Sequence, residues 1–324
     1  MISFKEAQDI IIKEIATLNI AGTPMQLYEP IAYILNSIGK RIRPAMVLMT
    51  AGMFSDNVKK ITDLALAFEI FHNFTLVHDD LMDNAKIRRG NPTVHERWNN
   101  NTAILSGDAM LIMAYQFLQK ADIFNYDEVF RLFNQTATEV CEGQMFDMKF
   151  EERMDISEKE YIEMIRLKTS VLIGACLQGG ALATGADTEI ARQLYEAGIN
   201  LGLAFQLRDD YLDTYGDPEK FGKTTGGDIV ENKKTLLFVK AMEIAGNKER
   251  ESLLHYFGTR GIDSVEKIRV VTEIYNSLGI PGLLQDKISD YTGKAFSFLE
   301  NLNVPDPKKQ GLRELMEYLL TRES

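Results

Sequence analysis

No proline interrupts this 324-residue chain between Pro92 and Pro218, and that gap constrains the fold more than any other feature. Proline removes a backbone donor and clashes with the preceding turn, so a long stretch without it permits long helices. The stretch is also rich in Ala, Leu, Met, Glu and Gln, which favour helix. The apolar spacing agrees. In EIARQLYEAGINLGLAFQLRDDYLD, Ile190, Leu194, Ala197, Leu201, Ala204 and Phe205 recur every three or four positions and mark one helix face. Nothing alternates at period two for long enough to build a sheet.

Boundaries are legible as well. SEKE at Ser157 to Glu160 has the capping-box arrangement that opens a helix, and NVPDPKK sets a last helix apart from the body. The expectation is one domain spanning residues 1–324, an all-α bundle of about ten to twelve helices with long ones at its centre. No low-complexity linker or shift in composition divides the chain.

The net charge of -11 produces a field that repels phosphate backbones, which argues against nucleic acid as a partner. A polyanionic substrate would need local basic residues or divalent metals to overcome that field. The N-terminus, MISFKEAQDIIIKEIATLNI, lacks the basic start and apolar run of a signal peptide, and no segment offers the roughly 18 apolar residues of a membrane span. The chain therefore reads as cytoplasmic. Cys141 and Cys176 both lie in apolar helical surroundings and read as buried free thiols.

Two acidic clusters stand out against this background. LVHDDLMDNAKIRRGNPTVH (76–95) sets Asp79, Asp80 and Asp83 ahead of Lys86, Arg88 and Arg89. QLRDDYLDTYGDPEKFGKTTGGDIVENKK (206–234) repeats that order, acids first and glycines and lysines after. On a helix, positions i and i+4 lie about 40° apart and one turn along, so Asp79 and Asp83 share a face, as do Asp209 and Asp213. An isolated Asp-Asp pair on a helix is usually a solvated face or a cap. Here both clusters end strongly apolar helices, where unneutralised carboxylates would be costly and cations would offset the cost. Carboxylate oxygens suit Mg²⁺, which typically binds through a few carboxylates plus substrate phosphates. Paired clusters with basic loops suggest two walls of a metal-filled diphosphate site.

These motifs resemble the trans-type isoprenyl diphosphate synthases, or polyprenyl synthetases, of the short-chain farnesyl and geranylgeranyl kind. Both aspartate-rich motifs are intact, and GKRIRP (39–44), SGDAM (106–110), EGQMFD (142–147), KTSVL (168–172) and GKTTGGDIVENKKT (222–235) match in order over nearly the whole chain. The resemblance implies an all-α fold around a deep central cavity, usually a homodimer. It also implies a transferase that condenses isopentenyl diphosphate with dimethylallyl, geranyl or farnesyl diphosphate. Asp79, Asp83 and Asp209 would hold Mg²⁺, three ions per active site with substrate bound. Arg88, Lys168 and Lys223 would contact the allylic diphosphate, with Lys233 near by. Lys40, Arg43, His72 and Arg89 match the isopentenyl diphosphate pocket, which uses no metal. Thr169 and Gln206, with the Lys168 carbonyl, would face the carbocation.

In the family, an aromatic residue five positions before the first aspartate forms the floor that limits product length, and that residue is Phe74 here. Thr75 replaces the second aromatic of many C15-forming relatives, and the two-residue insertion of common bacterial C15 enzymes is lacking. This implies a C20 product, with C15 as the alternative. Helix geometry alone would put Thr75, not Phe74, on the face of Asp79.

Rival readings explain less. GDPEKFGKT (216–224) imitates a nucleotide-binding loop but has five residues between its glycines where that motif has four, and it follows a helix rather than a strand. An all-α metal phosphohydrolase could use His72 and His78-Asp79 but would leave the second cluster idle. A terpene cyclase would carry an Asn/Ser/Glu-type second metal site in place of DDYLD. A non-catalytic subunit of a heteromeric synthase would have lost aspartates or basic residues, and none is lost.

Overall fold

The computed structural model describes residues 2–217, 225–259 and 261–321. It is helical almost throughout. The helices are α1 (Phe4–Thr17), α2 (Met25–Leu35), α3 (Ile42–Phe54), α4 (Thr62–Met82), α5 (Val94–Arg97), α6 (Asn100–Lys120), α7 (Tyr126–Glu151), α8 (Glu158–Ile165), α9 (Val171–Leu182), α10 (Thr188–Tyr215), α11 (Gly227–Val230), α12 (Leu236–Ile244), α13 (Asn247–Gly258), α14 (Ser264–Ser277), α15 (Ile280–Glu300) and α16 (Asp306–Thr321). The proline-free stretch yields three of the longest, α6, α7 and α10. Four-residue helices such as α5 and α11 are too short to leave a period in the sequence, so the segments outnumber those that the pattern reveals. Among the described residues the only strands are β1 (Ile87–Arg88) and β2 (Asn91–Pro92), paired antiparallel.

The chain forms two compact units, each gathered from separate stretches. The first comprises Met1–Phe133, Ala175–Tyr195 and Leu302–Leu312; the second comprises Asn134–Gly174, Glu196–Asn301 and Arg313–Ser324.

In the first unit α4 is buried on every side from Leu64 to Phe71, as expected of a helix apolar all round. Phe68 and Phe71 each set their rings 5.3 Å from that of Phe133. Glu69 is the one charge within this run, and it is neutralised. Arg41 donates to Glu69 Oε1 at 2.6 Å and to the carbonyls of Leu35 and Ser37 at 2.5 and 2.7 Å. Arg41 caps α3 from the left-handed region (φ 49°), a conformation these three bonds hold in place. Removing one partner of such a buried pair costs roughly 3–5 kcal/mol.

In the second unit α8 opens with the capping box that SEKE predicts, Ser157 and Glu160 bonding reciprocally. The helix then passes through one turn of π-helix, Arg166–Ser170, before continuing as α9. The neighbours of that turn explain how it fits. A Cβ on Gly143 of α7 would lie 2.3 Å from the Lys168 nitrogen, and one on Gly202 of α10 would lie 2.6 Å from the Ser170 Cα. Only glycine lets both helices approach the widened turn this closely. Single π turns of this kind recur at functional sites.

Both cysteines are free. Cys176 is buried as expected, but Cys141 is exposed, because its position on α7 faces outward. No helix among the described residues is long and apolar enough to cross a membrane.

Candidate active site

The first acidic cluster ends α4, and helical backbone continues to Asp83, whose N–H reaches the Asp79 carbonyl at 2.9 Å. Asp79 and Asp83 thus keep the one-turn spacing that a shared cation needs. Asn84 (φ 51°) then stops the helix in a Schellman arrangement, with Ala85 N–H on the Asp80 carbonyl and Asn84 N–H on that of Leu81. A tight hairpin follows. Its two turn residues, Arg89 (φ 52°) and Gly90 (φ 77°), are both left-handed, the backbone of a type I′ turn.

That reversal brings Arg88 back to the helix end. Its Nε donates to Asp80 Oδ1 at 2.6 Å, and one terminal nitrogen lies 3.5 Å from Asp79 Oδ2. Asp80 is buried, and burial pushes its carboxyl above the usual range while Arg88 works against that shift. Acids and bases are crowded here because the middle aspartate anchors the arginine; Asp79 is half-buried beside the same guanidinium, and Asp83 is exposed.

A second group of cations gathers about seven residues up α4. Arg43 on α3 approaches His72 Nε2 at 3.1 Å. Arginine can only donate, so Nε2 accepts and the imidazole carries its proton on Nδ1. Burial, then the charges of Arg43, Arg89, Arg88 and Arg41, hold His72 well below the usual histidine range. Arg89 lies over Gly39, beside Lys40. A neutral histidine against Arg43 and in the positive field of Arg89 and Arg88, in a chain of net charge -11, suits an anion.

Phe74 is buried on the same helix, its ring 5.7 Å from Phe71 and 4.8 Å from His78. Thr75 donates its hydroxyl to the His72 carbonyl at 2.8 Å.

In the second unit the π turn carries Lys168 and Thr169. Lys168 Nζ meets Asp147 Oδ2 at 2.6 Å, and Thr169 Oγ1 donates to Gln206 Oε1 at 3.3 Å. Gln206 in turn donates to Asp210 Oδ1 at 3.1 Å, one turn along α10. Tyr161 of α8 donates to Asp210 Oδ2 at 2.5 Å. Burial, reinforced by Asp228, pushes Asp210 up to about 8. Burial followed by Asp213 raises Asp228 to about 6. Such crowding of carboxyls favours a cation among them. Asp213 accepts from the Asp228 backbone N–H at 2.9 Å. Lys233 is exposed and lies 3.5 Å from Asp228 and 3.2 Å from Glu231, whereas its neighbour Lys234 is buried and donates to the Glu151 carbonyl. Lys223 lies outside the described residues.

No group of three or more His, Cys, Asp or Glu among the described residues is already gathered to hold a metal. Asp79, Asp83 and Asp209 offer oxygen donors alone. Oxygen donors of this kind, on either helix, suit a hard cation that keeps waters and completes its shell with substrate phosphate.

The polyprenyl synthetase family model matches residues 24–276. The chain belongs to that family. This polyprenyl synthetase is 36% identical over 306 residues to the geranylgeranyl diphosphate synthase of Methanosarcina mazei, covering 93% of this chain and 91% of the relative. It is 33% identical to the geranylfarnesyl diphosphate synthase of Aeropyrum pernix, covering 93% and 95%. A crystal structure of a geranylgeranyl pyrophosphate synthase superposes with a TM-score of 0.93 at 44% identity, covering all of both chains. The all-α class and the prenyltransferase activity follow from this membership, and prenyl synthases of this family are generally Mg²⁺-dependent.

Several residues that contact or perturb these candidates were not singled out in the synthetase's sequence. Asp147 lies within EGQMFD, and its position four residues after Gly143 is the only hint of it. Asp228 sits in the lysine-glycine loop. Tyr161 carries no local signal at all.

Proposed function

We propose that this prenyltransferase condenses isopentenyl diphosphate head-to-tail with dimethylallyl, geranyl or farnesyl diphosphate and releases C20 geranylgeranyl diphosphate. The observation that carries the reading is the contact of Arg43 with a neutral His72, in the positive field of Arg89 and Arg88, on the helix that ends in Asp79 and Asp83.

The chemistry follows from what the residues can do. Asp79, Asp83 and Asp209 would hold Mg²⁺, three ions with the allylic diphosphate bound. When bound, the metal supplies Lewis-acid neutralisation of the departing diphosphate. The allylic C–O bond breaks and its electron pair leaves with the diphosphate, to which Arg88, Lys168 and Lys223 donate. Lys233 supports the same group. Lys40, Arg43, His72 and Arg89 hold isopentenyl diphosphate by charge-assisted bonds, for which the rigid guanidinium fork is well shaped. Thr169 and Gln206 set oxygen dipoles towards the carbocation. The isopentenyl double bond attacks it, a C–C bond forms, and the released diphosphate takes the proton lost.

Phe74, braced between Phe71 and His78, supplies the rigid bulk that stops growth at C20, with Thr75 leaving room beside it. Two of the three relatives named above, both geranylgeranyl diphosphate synthases, support this length, since geranylgeranyl diphosphate is C20. We also propose that the whole chain acts as a single catalytic domain and that it works in the cytoplasm as a homodimer. Ile104, Leu105 and Ile112 expose apolar surface on α6 that a second copy would cover.

Isopentenyl diphosphate binding by calorimetry with the metal chelated tests the arginine site. Binding is expected to persist and to weaken roughly tenfold or more in Arg43→Ala. Binding that vanishes on chelation would contradict a metal-free pocket.

A further inference from the structure

We propose that Tyr161 is a positioning residue for the condensation, its hydroxyl fixing Asp210 so that Gln206 and Thr169 turn oxygen, and not hydrogen, towards the cation. The proposal rests on the reading above, in which those two side chains face the carbocation.

Three bonds link the four groups, and each commits a hydrogen in one direction. Tyr161 donates to Asp210 Oδ2 at 2.5 Å, Gln206 Nε2 donates to Asp210 Oδ1 at 3.1 Å, and Thr169 donates to Gln206 Oε1 at 3.3 Å. With its NH₂ drawn to Asp210, the Gln206 amide must turn its oxygen the other way. Thr169 then spends its only hydrogen on that oxygen, which leaves its own lone pairs as the outward face. The order of the chain decides the sign of the dipoles, and the sign decides whether they attract a cation or repel it.

Tyr161 is the end of the chain that lies furthest from Thr169. It is buried on α8, and its hydroxyl takes one of the two oxygens of the buried Asp210 carboxyl; the Tyr161 and Gln206 bonds both favour the ionised, accepting form against the burial that raises it. Without it, Asp210 Oδ2 loses its donor and the carboxylate is free to rotate. A rotated carboxylate releases the Gln206 amide, and a flipped amide would present N–H to the developing positive charge. A tyrosine that merely satisfies its own hydroxyl would affect stability alone, so kinetics separate the two roles.

The test measures kcat and both KM values for wild type, Tyr161→Phe, Gln206→Ala and the double variant, with thermal melts by circular dichroism. Tyr161→Phe is expected to lower kcat roughly tenfold while the KM for isopentenyl diphosphate stays within about twofold. In the Gln206→Ala background the same change is expected to cost less than about twofold, because the group it positions is gone. Unchanged kcat in Tyr161→Phe, or a full loss repeated in the Gln206→Ala background, would overturn the proposal. If Tyr161→Phe does not fold, Asp210→Asn carries the test, with the same non-additivity expected against Gln206→Ala and the same full loss overturning it. Elongation by the wild type and a lower kcat for Gln206→Ala alone report on the catalytic reading; only the Tyr161 and Asp210 arms report on the positioning.

Discussion

Arg88 Nε donates to the buried Asp80 carboxylate at 2.6 Å, so one guanidinium ties the end of α4 to the hairpin that follows it. The middle aspartate of the motif thereby serves the arginine, and in the proposed mechanism the outer two serve the cation. Asp80→Asn keeps the shape and removes the charge that holds Arg88. It should lower kcat/KM for the allylic diphosphate roughly tenfold while the KM for isopentenyl diphosphate moves less than about twofold. Equal losses for the two substrates in steady-state kinetics would mean that Asp80 acts on the fold and not through Arg88.

Asp79→Ala or Asp209→Ala should reduce kcat by about a thousandfold or more, since in the proposed mechanism the cations these oxygens would hold neutralise charge that grows in the transition state. Neither change should shift the thermal melt appreciably, because each side chain is part-exposed. Near-normal turnover in either variant would remove that aspartate from the metal site.

His72 gives a stability signature that activity does not enter. Its folded pKa lies below the usual 6.5, so between those two values the unfolded chain binds the extra proton. Stability therefore rises with pH in that window, is fully present above 6.5, and is lost as pH falls towards the folded pKa. In denaturant titrations at several pH values, His72→Asn should reduce that slope by up to about one proton per molecule. An unchanged slope would place the His72 imidazole in an ordinary environment.

Phe74→Ala should do two things at once. Product chromatography should show prenyl chains longer than C20, and the cavity left beside Phe71 and His78 should cost roughly 3–5 kcal/mol of stability. A destabilised variant with unchanged product length would leave Phe74 as core and move the floor elsewhere.

How much of this was readable in advance varies with the range of the forces involved. Local signals were legible: the apolar spacing of α10, the capping box at Ser157 and Glu160, and the one-turn spacing of Asp79 and Asp83 all depend on neighbours a few positions apart. Only the family resemblance singled out Arg43 over Arg41 in GKRIRP; the residues alone gave no sign that Arg41 is a buried structural cation, because its partner Glu69 lies 28 positions away. The π turn at Arg166–Ser170 has no composition of its own; its fit depends on glycines at 143 and 202, brought together only by folding. Tyr161 and Asp147 were hidden for the same reason. The outward position of Cys141 was missed because its apolar neighbours describe the helix and not the side it faces.

The most direct test of the central claim is to incubate the purified protein with Mg²⁺, labelled isopentenyl diphosphate and each of dimethylallyl, geranyl and farnesyl diphosphate, and to chromatograph the dephosphorylated products. All three starters should be extended, with the ladder ending at C20. A ladder ending at C15 would keep the condensation and contradict the floor at Phe74; no chain growth from any starter would contradict the account as a whole.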